Sequence, residues 1–336
     1  MKKILYPFAA IVFAMLSALS CSEEITVKVV DLAKLTADYE AKDGETLSGI
    51  LGGNYKITIA DGAVVTLKNA VIYGENNEAY KWAGITATGD ATIVLEASNI
   101  VRGFHENYPG IFVPEGKTLR IKGNGKLEAG SSGRGAGIGG ANYEQINCGN
   151  IEILEGTIRA VSGMNSAAIG TGGLSECGNI TISGGTVTAH GGTNAACIGS
   201  GAGCDEKLET SFAPSVCGNI TISGGTVTAA AASDGNTFAA GIGSGNDNAV
   251  CGNILISGGT VYAKGGSNSA GIGTSEQSSV GDITITDGVT KVTAEKTSMG
   301  EDTHCIGGGT DYKRIGKVTI GGKEGPVIES PFVYQP

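Results

Sequence analysis

The string CGNITISGGTVTA stands at residues 177–189 and again, letter for letter, at 217–229. It is the most regular part of a longer pattern. The signature G-[N/D]-I-x-I recurs at Gly149-Asn150-Ile151, Gly178-Asn179-Ile180, Gly218-Asn219-Ile220, Gly252-Asn253-Ile254 and Gly281-Asp282-Ile283, in steps of 29, 40, 34 and 29 residues. A weaker copy follows at Gly316-Lys317-Val318. Self-similarity on this scale marks an array of stacked units. Each unit holds three short stretches, for example Ile180-Thr181-Ile182, Val187-Thr188-Ala189 and Ala195-Ala196-Cys197-Ile198, separated by Gly184-Gly185 and Gly191-Gly192. Brief alternation rich in β-branched residues and bounded by glycines predicts short strands joined by tight turns. One such unit cannot bury its Ile and Val side chains alone, whereas stacked copies can. The pattern therefore predicts an all-β, right-handed, single-stranded parallel β-helix. Each repeat is one coil, neighbouring strands lie ~4.8 Å apart, and the winding follows the strong right-handed preference of parallel crossovers. The surplus residues fall at 199–216, 243–250 and 273–280, which predicts loops gathered along one edge.

The N-terminal third follows the same logic with less identity, since residues 55–59, 64–67, 91–95, 111–113 and 118–121 all alternate. The expected organisation is a solenoid over 46–325, a tether and N-terminal cap over 21–45, and a C-terminal cap over 326–336, because uncapped strand edges invite aggregation. Residues 1–20 stand apart: Lys2 and Lys3 precede an uncharged apolar run from Ile4 to Leu19. That run is shorter than the ~20 residues of a membrane span and reads as an export signal. Ala18-Leu19-Ser20-Cys21 resembles a bacterial lipoprotein box, which implies cleavage before Cys21 and acylation of its thiol. Ser22-Glu23-Glu24 resembles the acidic tethers of surface-exposed Gram-negative lipoproteins. The expectation is an outer-membrane, cell-surface lipoprotein touching the membrane only through its lipid anchor, with ordinary secretion as the alternative. A net charge of −10 disfavours a nucleic-acid footprint.

Three sets of like residues recur in register. Asn150, Asn179, Asn219 and Asn253, followed by Asp282, are expected to form a structural ladder, amides being able both to donate and to accept between coils. Cys148, Cys177, Cys217 and Cys251 share the position before the glycine. Stacked coils bring Cα atoms within disulfide range, but in-register parallel neighbours fit that geometry poorly. The expectation is a row of reduced thiols packing as small hydrophobes. A tetrahedral zinc site needs convergence that a row does not give. Cys197 and Cys305 are expected inside, and Cys204 on the longest loop. Gly135-Ala136-Gly137-Ile138-Gly139-Gly140 superficially resembles a dinucleotide fingerprint, but related strings recur at Ile169-Gly170, Ile198-Gly199 and Ile242-Gly243 without a following helix. They read as coil turns.

A polygalacturonase reading requires clustered aspartates and a histidine between glycines; His105, His190 and His304 do not supply it. A pectate-lyase reading requires a carboxylate cluster for calcium beside a basic residue. The outward positions of the second strand run Glu128, Arg159, Thr188, Thr228, Tyr262 and Thr293, which reads as one arginine without those carboxylates. A flat face of hydroxyls carrying Arg159, His190, Tyr262 and Lys264 suits an extended glycan, although each residue is equally compatible with a solvated β-face. A second aromatic group, Tyr73, Tyr80, Trp82, Phe104 and Tyr108, gathers in turn-rich sequence, with Trp82 as the candidate ligand contact. Asp205, Glu206 and Glu209, or Glu301 and Asp302, offer oxygen donors for Ca2+, but the repeats carry no calcium nonapeptide.

The order AGITATGDATIVLE (83–96), YPGIFVPEGKTLRIKGNGKLEA (108–129), GAGIGG (135–140) and repeated CGNITISGGTVTA resembles the bacterial extracellular carbohydrate-binding β-helix proteins. The resemblance covers roughly residues 45–320 and implies a pectate-lyase-like fold without catalysis, plant-cell-wall or acidic glycans as ligands, and calcium as a bound ion. The expected function is polysaccharide binding without cleavage. The alternatives are a structural or adhesive protein that binds a protein partner through its loop edge, and a lyase with an unrecognised site.

Overall fold

The computed structural model describes residues 28–144, 146–203, 214–232, 237–297 and 302–336. Cys21, the export signal, Cys204 and the loop carboxylates Asp205, Glu206, Glu209 and Glu301 lie outside the described residues.

The chain is a parallel β-helix. Among the described residues its strands form sheets of 20, 10 and 5 members, and coil follows coil in register. The first face carries two strands per coil, such as Ile180–Ile182 and Thr186–His190. The second carries one, such as Ile198–Gly199, and the third another, such as Glu176–Cys177. Alternation decides which side chains enter the core. Ile153, Ile182, Ile222, Ile256, Ile285 and Ile320 pair in one column, and all six are buried. Ile158, Val187, Val227, Val261 and Val292 form a second buried column. Burying an aliphatic side chain is worth roughly 1.5–3 kcal/mol, and in a solenoid most of that burial is against the neighbouring coils.

The architecture departs from the sequence expectation in two places. The third alternating stretch shrinks to two residues, because Ala195, Ala196 and Cys197 are all fully buried and present no outward face. From Gly178 onward a further two-residue strand precedes each glycine signature and builds the third face. Strands this short leave no period to read. At the N-terminus, parallel pairing begins before residue 46: Val29–Asp31 pairs with Thr46–Ile50, and Tyr39–Ala41 with Ile57–Ile59. At the other end the direction reverses. Phe332–Tyr334 lies antiparallel on Lys291–Glu295, Lys323–Glu324 folds back on Val318–Ile320, and Val327 bridges Ile306. Antiparallel cover of this kind ends a stack that would otherwise offer further copies an edge.

The asparagine ladder is built on its acceptors, with one amide donor contact, Asn150 Nδ2 to Thr118 Oγ1 at 3.4 Å, at its start. Oδ1 of Asn150 accepts from the backbone N–H of Asn179, and the contact repeats from Asn179 to Asn219, Asn219 to Asn253, Asn253 to Asp282 and Asp282 to Lys317, each at 2.8 Å. Asp61 and Asp90 make the same bond in the earlier coils. This explains why Asp282 can stand in an asparagine row: the repeated contact uses only the side-chain oxygen. Asn219→Ala is expected to lower stability by about 1 kcal/mol, while Asn219→Asp retains most of it. Paired urea titrations check this, and equal losses from the two variants would refute it.

The cysteine row divides. Cys148 and Cys177 form a disulfide, with Cα atoms 4.5 Å apart, whereas Cys217 and Cys251 are buried free thiols in register. The expectation of a wholly reduced row is thus corrected at its first pair. Cys148 meets Cys177 through an isolated bridge rather than a continuous strand. Cys197 and Cys305 are interior as expected, and complete burial pushes the Cys197 thiol up to about 12, leaving it protonated.

Candidate functional site

On the first face the outward row runs Glu128, Arg159, Thr188, Thr228, Tyr262, Thr293, in the register that alternation predicts. Its larger members are already engaged. Glu128 holds Arg102 at 2.7 Å on one side and Arg159 at 3.6 Å on the other, so Arg159 has a single carboxylate partner one coil away in its own row. Arg120 and Glu152 pair at 2.8 Å in the adjoining column. The Tyr262 hydroxyl donates to Glu295 at 3.0 Å, and partial burial together with that carboxylate raises the phenol above its usual range. His190 pairs with Val161, and Lys264 with Ala230 and Glu295, in a neighbouring row. Arg159 and Tyr262 are three strand steps apart, roughly 14 Å. The four residues therefore share a face without converging.

Trp82 belongs elsewhere. The chain leaves the first face after the strand Val64–Ile72 and returns on the second face as Ile85–Ala87. The long connection between them holds the indole against two aromatic neighbours. Tyr80 lies at 5.3 Å, nearly edge-on, and Phe104 at 5.8 Å, tilted. Phe104 is fully buried and acts as the core plug that fixes the cluster. The backbone locks the same unit, with Phe104 N–H donating to the Trp82 carbonyl at 3.1 Å.

Trp82 borders a pocket of ≈ 230 Å³ on the second face. Tyr108 and Phe112 add aromatic wall, Thr86 adds a hydroxyl, and Lys56 and Lys81 bring ammonium groups. Thr86 and Phe112 pair across neighbouring coils, so parallel stacking aligns the wall. The indole Nε1 is buried without a hydrogen-bond partner. A chain of contacts holds the rim: Lys81 pairs with Glu78 at 3.1 Å, Glu78 with His105 Nε2 at 3.0 Å, and His105 Nδ1 accepts from the Asn107 N–H at 3.2 Å. An accepting Nδ1 leaves the proton on Nε2, where it is donated to Glu78. That hydrogen bond, followed by the contact with Lys81, keeps the Glu78 carboxyl below its ordinary range. The ring of His105 in turn meets Tyr108 edge-on at 5.9 Å. Burial, then the nearby Glu144 carboxylate, raises the Tyr108 phenol.

Of the aromatic group anticipated from sequence, Trp82 and Tyr108 line this pocket, while Tyr80 and Phe104 support it. Tyr73 is 53% exposed and does not line it. Sequence reasoning missed Lys56, Thr86 and Phe112. The outward parity of Thr86 in Ile85-Thr86-Ala87 and of Phe112 beside Ile111 was the available signal. No group of three or more His, Cys, Asp or Glu side chains suited to a metal occurs among the described residues.

Aromatic side chains beside hydroxyl and ammonium groups can stack on a sugar ring and hydrogen-bond its substituents. A family model described as a beta helix repeat matches residues 180–202, 220–246 and 254–276. No curated protein and no solved structure matches the chain. The three matched segments each span a first-face pair and the following second-face strand, so repeat and architecture agree: the chain is an all-β solenoid, a parallel β-helix of the pectate-lyase-like or a related kind.

Proposed function

We propose that this protein is an exported surface lipoprotein that binds extended polysaccharide without cleaving it, and that the Trp82 pocket is its principal contact. The pocket carries the reading: three aromatic side chains, a threonine and two lysines border a single ≈ 230 Å³ recess on the second face. Resemblance to carbohydrate-binding β-helix proteins supports the same ligand class. The lipid anchor is assigned to Cys21, and loss of fatty-acid labelling in Cys21→Ala is its expected signature.

The test is retention of the full chain in gels containing plant-cell-wall glucans or acidic polysaccharides, run with Ca2+ and with chelator, followed by absorbance detection of unsaturated sugars. Retardation without product supports binding, and its loss in chelator assigns Ca2+ a part. Product formation would replace the reading with a lyase. Folded protein that no polymer retards would replace it with the adhesive reading. Because neither Arg159 nor Tyr262 borders the Trp82 pocket, Arg159→Ala/Tyr262→Ala is expected to leave affinity within about twofold of wild type, as for independent sites. A larger loss would return the site to the first face.

A further inference from the structure

The segment that carries Trp82 also carries Tyr73, and the side away from the pocket is not flat. Two clefts, of ≈ 250 Å³ and ≈ 380 Å³, adjoin at Tyr73 and Gly74, which line both, and we treat the pair as one groove. The first reaches back to Leu51 and Asn54 and is also lined by the Glu75 carboxylate, and the second reaches forward to Arg102 and Ser132. These residues follow or end the strands Thr46–Ile50, Val64–Ile72, Ser98–Arg102 and Lys126–Gly130, which pair one after another. The groove therefore crosses four successive coils at the corner where the first face ends, a run of roughly 14 Å along the stack.

Its floor is low because glycines line it. A Cβ at Gly74 would sit 1.9 Å from the Phe104 ring, and one at Gly53 would sit 2.7 Å from the Tyr55 ring. Both positions are thus held to glycine by the packing beneath them, and the space above stays open. Tyr73 rises from the middle with 53% of its surface exposed, an uncovered ring at the centre of an elongated recess. The forward end is bordered by Arg102, Ile100, Ser131 and Ser132, with no carboxylate among its lining residues. Arg102 shares the single Glu128 carboxylate with Arg159. Two guanidinium groups divide one negative charge, leaving surplus positive charge and unused donors beside the recess.

We propose that this corner groove is a second ligand site. It takes a short run of linked sugars lying along the solenoid axis, with Tyr73 stacked on a central ring and Arg102 reading an anionic substituent, carboxylate or sulfate, at the forward end. The proposal rests on the polysaccharide reading above but uses residues that do not touch the Trp82 pocket.

Calorimetry on the full chain tests it with chondroitin sulfate, hyaluronan and cello-oligosaccharides of two, four and six sugars. Affinity is expected to rise from two to four sugars and then level off, with the anionic series ahead of the neutral one. Hyaluronan matching chondroitin sulfate would identify carboxylate as sufficient, and binding of chondroitin sulfate alone would identify sulfate. Tyr73→Ala is expected to weaken binding roughly fivefold or more, and Arg102→Ala to erase the anionic preference. Both side chains are largely exposed, so both variants should fold, as thermal unfolding will check. Trp82→Ala should weaken every series without changing the preference. If Tyr73→Ala and Arg102→Ala bind as wild type while Trp82→Ala does not, the groove is refuted and the pocket stands. If Tyr73→Ala loses binding and Trp82→Ala keeps it, the groove stands and the pocket reading falls. Absence of binding to all three series by the folded wild type overturns the groove.

Discussion

Gly199→Ala is expected to cost more than about 4 kcal/mol, well beyond an ordinary point substitution. Gly199 has φ +138°, and a Cβ built there lies 1.9 Å from the carbonyl oxygen of Gly243 in the next coil. The same approach recurs up the column, from Gly139 to Gly170, Gly170 to Gly199 and Gly243 to Gly273 at 1.9 Å, and from Gly273 to Gly307 at 1.8 Å. A left-handed backbone by itself costs an alanine roughly 1–2 kcal/mol. The remainder comes from separating two coils whose backbones touch, which disturbs the buried Ile169, Ile198 and Ile242 stacked beside the glycines. Two further variants separate the causes. Gly62 has φ +77° and nothing within 4 Å of its Cβ, so Gly62→Ala should show the backbone cost alone, about 1–2 kcal/mol. Gly307 ends the column, where the nearest atom is the Pro326 Cβ at 3.0 Å, and Gly307→Ala should fall between the two. Urea unfolding followed by circular dichroism gives the order. A Gly199→Ala protein as stable as Gly62→Ala would show that neighbouring coils can part freely, against the stacking argument.

The same column shows what the sequence can and cannot convey. Ile-Gly recurs at 169–170, 198–199, 242–243 and 272–273, and identical residues at one step of each repeat must stack when the repeats do. Register was legible for this reason: Arg159, Thr188, Thr228 and Tyr262 fall in one row as parity requires. Pairing within a row was not. Whether Arg159 is free depends on where the Glu128 carboxylate swings, and whether Cys148 bonds to Cys177 depends on the local backbone. The third face escaped because strands such as Val250–Cys251 contain two residues, too few for alternation. The Trp82 pocket is harder still. It joins Lys56, Thr86, Phe112 and Ala141 from four coils with little sequence likeness, so no repeat links them, and only stacking of unlike coils brings them together.

That convergence makes Trp82→Ala the most informative change to function. The indole is held by Tyr80 and Phe104 on its own coil and the next, so it meets a ligand with little conformational freedom left to lose. Preorganised aromatic anchors in recesses are where truncation costs about 2 kcal/mol or more, some thirtyfold in affinity. The expected result is a loss of polysaccharide binding of at least that size, while Arg159→Ala/Tyr262→Ala binds as wild type. Trp82 is only partly buried, so truncation should lower stability by less than the ~3–5 kcal/mol of a fully buried aromatic. The solenoid should remain folded, which circular dichroism at the binding temperature will verify. Trp82→Phe supplies the discriminating arm. It keeps a stacking surface against Tyr80 and Phe104 but removes the Nε1–H, which has no protein partner. Affinity near wild type would assign the indole a stacking role alone. A deficit as deep as that of alanine would show that the full breadth of the indole, and not an aromatic ring as such, is what the ligand needs. Wild-type affinity in both variants would remove the second-face pocket as the binding site and leave the corner groove around Tyr73 to account for any glycan that the protein retains.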